Sequence, residues 1–269
     1  MIAYPEIDPI LFQVGPLAVR WYSLSYLAGV LFGWWYLLRL DKAAPATPGQ
    51  PPVMNQKIRD DIMLWAIFGI VLGGRIGYVL FYNLPYFAAN PGEALMIWQG
   101  GMSFHGGLLG MILAIYLMSR RYGVRYWPLM DRVACVAPIG LCLGRLANFI
   151  NGELYGRVTD VPWAMIFPHD PDGMPRHPSQ LYQAAGEGLL LFAILNLLFH
   201  FTNIRRYPAM TSGVFLIGYA FFRSFAEFFR EPDVQLGFIV GDVTMGQILC
   251  IPMAMAGVAL VIYARRNPA

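Results

Sequence analysis

Two arginines lie within strongly apolar segments of the chain, and each has polar neighbours at helical spacing. Arg145 and Asn148 are three residues apart, so on a helix their side chains share a face. Tyr219, Arg223 and Glu227 follow one another at intervals of four residues and form a polar stripe. A charged side chain at the middle of a bilayer costs about 2.5–3.5 kcal/mol on insertion scales. Because an arginine fork binds phosphate or carboxylate through two nitrogens, we expect these residues to hold an anionic group such as a phospholipid headgroup.

Further ionisable residues lie near the ends of apolar segments. They are Arg75, Glu187 and Glu153. They leave a second interpretation open, in which the charges form only an ion-pair network that fixes helix register. In that network Arg223 pairs with Glu227, and Arg145 pairs with Glu153 or Glu187.

A histidine opens another apolar segment within the run GGMSFHGGLLG. Glycines flank His105 closely, so a bound molecule would have access to its ring. An unperturbed histidine pKa near 6.5 suits proton transfer at neutral pH. The alternative is that His105 is an ordinary packing residue. Ser103 is not part of a GxSxG motif, so the sequence does not favour a serine hydrolase.

The composition indicates a helical membrane protein. Of 269 residues, 57% are hydrophobic and only 13% are charged, against about 25% charged in an average soluble domain. These charges are too few to cover a soluble enzyme, and the net charge of +3 offers no basic field for a nucleic acid. The 3 cysteines lie in apolar runs and are not spaced as zinc ligands are. We therefore expect neither a disulfide framework nor a metal site.

Seven apolar stretches predict an all-α polytopic membrane protein with seven transmembrane helices. Most of the 19 Lys and Arg residues flank the side assigned to the cytoplasm, which places the N-terminus in the periplasm and the C-terminus in the cytoplasm. We expect one integral membrane domain over residues 1–269. The predicted spans are residues 23–40, 62–82, 104–118, 133–150, 180–201, 212–229 and 243–264.

The longest segment on the predicted periplasmic side is residues 151–178. It contains a candidate strand at residues 163–167, followed by PHDPDGMPRHP, which is dense in turn-forming residues. A loop of this length is more often functional than idle. We expect it to form a small periplasmic cap between the fourth and fifth spans.

Five stretches of the sequence resemble the prolipoprotein diacylglyceryl transferase family. The most specific is GRLANFINGELYG at residues 144–156. The similarity covers nearly the whole chain, in order. The other stretches are RWY at 20–22 with Tyr26, GGMSFHGG at 100–107, HPSQLY at 177–182, and residues 219–233 with RSFAEFFREPD.

The resemblance implies an enzyme of the bacterial inner membrane, with its active site toward the periplasm. Members move the diacylglyceryl group of phosphatidylglycerol onto the lipobox cysteine in the signal peptide of a preprolipoprotein, forming a thioether and releasing glycerol phosphate. By the same resemblance, Arg145 and Arg223 hold the lipid phosphate. The implied catalytic set is Arg145, Arg223, His105, Tyr26, Tyr219 and Glu153. The implied phosphatidylglycerol-binding set is Arg145, Arg223, Asn148, Gly156, Glu227, His177, Ser179 and Gln180.

This reaction needs two kinds of help. A free thiol has a pKa near 8.5, so it must lose its proton, for which His105, Glu153 or Glu227 is the candidate base. Charge develops on the leaving phosphate, which paired arginines in a dry cleft would stabilise. The lipid brings its own leaving group and the substrate its own nucleophile, so we expect no cofactor and no metal.

Two other classes of protein would also place polar groups in a membrane. A lipid or anion transporter should show inverted repeats and interrupted helices, and the sequence shows neither. A membrane scaffold would use the polar residues only to hold helices together.

Overall fold

The computed structural model describes residues 1–5, 7–15, 17–43, 52–232, 238–241 and 243–269. It is mostly helical and divides into two compact units. The first unit combines Met1–Leu37 with Asp131–Ala269, and the second unit is Leu38–Met130.

Nine α-helical segments account for most of the described residues. They are α1 (Trp21–Ala43), α2 (Gln56–Phe81), α3 (Leu84–Ala89), α4 (Phe104–Tyr122), α5 (Tyr126–Ile150), α6 (Ser179–Gln183), α7 (Leu191–Phe201), α8 (Met210–Glu227) and α9 (Met245–Arg266). A π-helical segment, Ala184–Leu190, joins α6 to α7, so Ser179–Phe201 is one continuous helix. Short 3₁₀ segments are Pro91–Leu95, Ile97–Gln99 and Ile204–Arg206.

A helix stands at each of the seven predicted spans, which confirms a polytopic helical membrane protein in its main features. Four of these helices are long and apolar enough to cross a membrane: α2, α5, Ser179–Phe201 and α9. The other three, α1, α4 and α8, are not among the helices that meet this standard of length and hydropathy. Seven crossings and their orientation therefore stay predictions.

The expectation of an all-α fold needs one correction. Two antiparallel hairpins are present, β1 (Ile10–Val14) with β2 (Leu17–Arg20) and β3 (Phe238–Val240) with β4 (Val243–Thr244). The first hairpin turns near Gly15, whose φ of 58° lies in the left-handed region that glycine tolerates. The run PATPGQPP at residues 45–52, whose proline content predicts a passive linker, lies almost wholly outside the described residues.

Glycines allow α2 and α4 to pack closely within the second unit. A Cβ built on Gly69 would lie 2.7 Å from the carbonyl oxygen of Gly110, and one built on Gly77 would lie 2.8 Å from Gly106 Cα. Gly73 opposes Gly106 in the same way. These contacts agree with the small-residue spacing in the sequence, because small side chains permit the backbones of membrane helices to approach.

A buried carboxylate fixes the start of α8 in the first unit. Asp131 on α5 accepts hydrogen bonds from the backbone N–H groups of Ala209 and Ser212, both at 2.8 Å, and from the Ser212 hydroxyl at 2.7 Å. The first N–H groups of a helix have no partner within the helix, so this carboxylate caps α8 from a neighbouring helix.

The segment predicted as a cap is held together around one arginine. The guanidinium of Arg176 binds Asp170 through two nitrogens at 2.6 and 2.9 Å, and also binds Asp172 at 2.9 Å and Glu231 at 3.1 Å. The candidate strand at 163–167 is reduced to a single bridge between Met165 and Arg176. Turn-forming residues on both sides explain why no longer ladder forms there.

Candidate functional site

Arg145 and Arg223 meet at one buried carboxylate. Arg145 Nη2 on α5 lies 3.3 Å from Glu187 Oε2, and Arg223 Nη1 on α8 lies 3.7 Å from Glu187 Oε1. The Glu187 side chain has no exposed surface, while the Arg145 and Arg223 side chains are 17% and 13% exposed. The two arginines singled out from the sequence are therefore neighbours in a largely desolvated site.

A π-helical segment carries Glu187 between α5 and α8. Two glycines beside it allow this close packing, since a Cβ on Gly188 would lie 2.5 Å from Cys142 Cβ on α5. A Cβ on Gly186 would lie 3.0 Å from the Phe222 ring on α8. Larger residues at these positions would push the three helices apart and separate Glu187 from the arginines. Such π-helical interruptions are frequent at functional sites.

Glu227 links Arg223 to the segment before α9. Its Oε1 accepts from Arg223 Nη2 at 2.5 Å and from Arg230 Nη1 at 3.1 Å, and its Oε2 accepts from the Thr244 hydroxyl at 2.8 Å. Gly246 leaves room for the carboxylate, because a Cβ there would lie 2.9 Å from Glu227 Cδ. Glu227 thus holds Arg223 in place with both of its oxygens occupied.

Part of the cluster retains unused hydrogen-bonding capacity. Arg223 Nη1 and Glu187 Oε1 are buried and have no hydrogen-bond partner among the described residues. Arg145, Arg223 and Arg230 supply three positive charges against the two negative charges of Glu187 and Glu227. A cluster with an excess positive charge and an unused guanidinium N–H is suited to an anionic ligand. The ion-pair interpretation is therefore correct for Arg223–Glu227 and Arg145–Glu187, but it does not account for every donor.

The end of α5 and the loop after it form a polar edge that includes four of the predicted residues. Asn148 donates to Glu153 Oε1 at 2.8 Å, and Gln180 donates to the Glu153 carbonyl at 2.6 Å. The Ser179 hydroxyl donates to the carbonyl of Leu154 at 2.9 Å. Leu154 has a φ of 58°, an unusual conformation for a residue with a side chain. These bonds attach residues 151–156, the part of the motif GRLANFINGELYG that follows α5 and is called the signature loop below, to the start of α6.

Gly156 and His177 form a tightly packed joint beside that edge. Gly156 N–H donates to the His177 carbonyl at 2.8 Å, and a Cβ on Gly156 would collide with the carbonyl of Phe229. The His177 ring lies 3.0 Å from the Tyr182 hydroxyl through Nδ1 and packs against Phe229. Burial lowers the pKa of His177, which favours its neutral form.

Two tyrosines of the predicted set lie within electrostatic range of the cluster. Tyr219 is buried near Glu187 and Arg223. Tyr26 is 57% exposed, interacts with Arg145 and Glu153, and lies 3.2 Å from the Tyr22 hydroxyl.

Two predicted ionisable residues belong to the second unit instead. His105 is exposed at the second position of α4, and its role stays a prediction. Arg75 is buried and donates to the backbone carbonyls of Glu93, Ala94 and Gly100 at 2.7, 2.8 and 2.5 Å. Its partners are carbonyls of the loop after α3, so Arg75 holds that loop in place.

Sequence reasoning missed three residues of the site. Arg230 and Thr244 bind Glu227, although the sequence analysis placed Arg230 just after the predicted span 212–229 and Thr244 at the start of the span 243–264 and gave neither a role. The third is Gln183, which is fully buried one helical turn before Glu187. A polar residue within an apolar segment could have marked it as a candidate site residue from the sequence.

The structure offers no candidate for a metal ion in its described part. No group of three or more His, Cys, Asp or Glu side chains comes together among those residues. Cys135, Cys142 and Cys250 are free and buried.

Helices able to span a membrane, together with a buried arginine–carboxylate cluster that carries an excess positive charge, define a polytopic membrane protein with a site suited to an anionic ligand. Residues 9–263 match the family model described as prolipoprotein diacylglyceryl transferase. The chain belongs to this family.

Relatives of similar length carry the same description. The chain is 54% identical over 269 residues to a phosphatidylglycerol–prolipoprotein diacylglyceryl transferase of Azospirillum brasilense, covering 100% of this chain and 98% of the relative. It is 54% identical to the protein of that name from Rhodospirillum rubrum, over 98% of this chain and 95% of the relative. Membership of an enzyme family decides against the transporter and scaffold interpretations.

Proposed function

We propose that this protein transfers the diacylglyceryl group of phosphatidylglycerol to the cysteine of a prolipoprotein, with the Arg145–Glu187–Arg223 cluster as the site of the lipid phosphate. The observation that carries the site assignment is the meeting of two arginines at one fully buried carboxylate, with Arg223 Nη1 left without a hydrogen-bond partner among the described residues. A guanidinium fork matches the oxygens of a phosphate in both geometry and charge.

The headgroup phosphate occupies the space beside Arg223 Nη1 and the outer edge of Arg145. Arg145 uses one nitrogen for Glu187, which leaves the rest of its fork for the ligand. Glu187 keeps the two guanidinium groups close together although they repel each other. Glu227 orients Arg223 from the other side. The cluster is thus organised before the lipid arrives, which lowers the free energy needed to order it during the reaction.

In the transfer step, the sulfur of the substrate cysteine attacks the glycerol carbon that carries the phosphate oxygen. The carbon–sulfur bond forms as the carbon–oxygen bond breaks, and the thiol proton passes to a base. Glycerol phosphate leaves with the electron pair of the broken bond. Arg145 and Arg223 stabilise the negative charge that grows on the leaving group, an effect that is strong in a desolvated site.

Two residues are candidates for the base. Glu153 is exposed, and its carboxylate is held by the side-chain amide N–H groups of Asn148 and Asn151 at 2.8 and 3.4 Å. His105 is exposed at the start of α4. Tyr26 and Tyr219 line the path of the reacting groups, and Asn148, Gly156, His177, Ser179 and Gln180 shape the headgroup site.

The membrane arrangement follows from the reaction. The protein crosses the bacterial inner membrane seven times, with the N-terminus and the cap of residues 151–178 in the periplasm and the C-terminus in the cytoplasm. The signature loop and the cluster then face the side on which the lipobox of an exported preprolipoprotein emerges. The apolar spans give the acyl chains of phosphatidylglycerol contact with the bilayer throughout the reaction.

One assay tests the proposed function. Purified protein is incubated with phosphatidylglycerol and a lipobox peptide, and the peptide is analysed by mass spectrometry. A diacylglyceryl adduct on the cysteine is the expected result, and a matched peptide with serine at that position should remain unmodified. An unchanged cysteine peptide in the presence of folded protein would contradict the proposal.

A further inference from the structure

Three polar side chains form a fully buried column on the helix Ser179–Phe201. Gln180, Gln183 and Glu187 each have no exposed surface, and they follow at intervals of three and four residues on one helical face. The column begins at the signature loop, where Gln180 donates to the Glu153 carbonyl, and ends at Glu187 between Arg145 and Arg223.

The column is short of hydrogen-bond partners. Gln180 Oε1 and both polar atoms of the Gln183 side chain have no partner among the described residues. An amide buried without a partner loses its hydration and gains nothing in return, which is unfavourable. The nearby amide of Asn196 on the same helix behaves in the usual way. It donates to the carbonyls of Cys135 and Phe192 and accepts from the Tyr36 hydroxyl.

We propose that the side-chain amide of Gln183, together with the side-chain oxygen Oε1 of Gln180, binds the glycerol hydroxyls of the lipid headgroup. This amide would select a polyol headgroup over an amine headgroup, an inference that rests on the proposed function. An amide presents both donors and an acceptor, which match a hydroxyl that also donates and accepts. An ammonium group only donates, so it would leave the Gln183 N–H groups unmatched.

The spacing along the helix agrees with this assignment. Gln183 precedes Glu187 by four residues, so the two side chains are neighbours on one helical face, roughly 5–6 Å apart. The phosphate and the terminal hydroxyls of a glycerophosphate are separated by a few covalent bonds, a similar distance. A headgroup with its phosphate at Arg223 therefore brings its hydroxyls level with Gln183.

The test compares Gln183→Met with the wild-type protein and with Asn196→Leu as the matched control. Methionine keeps the length of glutamine but removes the amide. For Gln183→Met we expect the KM for phosphatidylglycerol to rise about tenfold, because the loss of one hydrogen bond in a buried site weakens binding by about that factor. We expect kcat to change less than KM and the melting temperature to stay equal or rise. Asn196→Leu should lower the melting temperature and leave KM unchanged.

Direct binding of soluble headgroups separates glycerol recognition from phosphate recognition. Titration calorimetry with glycerol phosphate and with phosphoethanolamine should show that Gln183→Met weakens only the first, by about tenfold. Equal weakening of both would overturn the inference, as would an unchanged KM. A lower melting temperature with unchanged KM would assign the amide to the internal structure and overturn it as well.

The two proposals fail in different ways. Wild-type protein that binds glycerol phosphate through Gln183 but forms no peptide adduct would contradict the proposed function and support the inference. Wild-type protein that forms the adduct while Gln183→Met retains its KM and its affinity for glycerol phosphate would overturn the inference alone.

Discussion

Replacing Arg223 by glutamine removes a buried guanidinium N–H group that has no hydrogen-bond partner among the described residues. Arg223 Nη2 lies 2.5 Å from Glu227 Oε1, and Nη1 lies 3.7 Å from Glu187 Oε1. In the R223Q protein, Glu227 keeps Arg230 and Thr244 as partners, while Glu187 keeps Arg145. Neither carboxylate is left alone, so we expect a stability loss below the roughly 3–5 kcal/mol that follows when a buried charge loses its partner.

The effect on the reaction should be larger than the effect on folding. A charged donor directed at a leaving group contributes about 2.7–4 kcal/mol to lowering the barrier, so we expect kcat to fall by roughly 10²–10³. R223K keeps the charge but not the planar fork, so it cannot bind Glu227 and the phosphate in two places at once. We expect R223K to lose at least about tenfold, or about 1.4 kcal/mol of barrier reduction.

The assay is the initial rate of peptide modification at saturating phosphatidylglycerol, measured with the melting temperature of each variant. Arg59→Gln is the matched control. Arg59 pairs with Asp41 at 2.7 Å, but its side chain is 40% exposed, so its loss should change stability by less than about 1 kcal/mol and leave the rate unchanged. An R223Q protein with the wild-type melting temperature and more than a tenth of the wild-type rate would refute the reasoning. If R223Q does not fold, R223K at the wild-type rate refutes it.

Three further changes test other parts of the molecule. If His105 transfers the thiol proton, His105→Gln should lower kcat by roughly 10²–10⁴, and retention of more than about a tenth of the rate excludes that role. Hydrogen bonds from Arg176 lower the pKa of Asp170, so its ionised form stabilises the fold above the unfolded pKa of about 3.9, and this contribution is lost as pH falls through the folded pKa. Asp170→Asn should therefore flatten the acid side of a melting-temperature profile, and a profile unchanged from wild type would contradict this. Gly156→Ala places a methyl group against the Phe229 carbonyl and should destabilise the protein by about 1–3 kcal/mol, seen as a lower melting temperature.

The helices and the family could be predicted from the sequence. A segment that enters a bilayer must satisfy its backbone hydrogen bonds internally, so an apolar run of sufficient length predicts a helix without knowledge of its neighbours. The run at residues 144–156 and the accompanying motifs pointed to the same family that the comparisons establish. The spacing of Tyr219, Arg223 and Glu227 also predicted a shared helical face, because residues four apart on a helix are neighbours.

The partners of the charged residues could be predicted from the sequence only in part. The sequence left Glu153 and Glu187 as equal candidates for Arg145, and the structure selects Glu187, 42 positions away in the chain. Arg75 was grouped with the other ionisable residues of the apolar segments, and the structure shows that it donates to loop carbonyls within the second unit. Arg230 looked like a loop residue, yet it binds the carboxylate that orients Arg223.

Apolar length and local spacing thus determined which segments are helices and which side chains share a face, since both depend on residues close together in the chain. Only the tertiary structure decided the buried Arg145–Glu187–Arg223 cluster and the burial of the Gln183 amide, which has no hydrogen-bond partner among the described residues. They depend on how closely α5, α8 and the helix Ser179–Phe201 approach one another, and that distance is set by small residues such as Gly186 and Gly188 at the points of contact. Packing between helices, rather than the preference of any one segment, selects which charges meet and which donors remain available for a ligand.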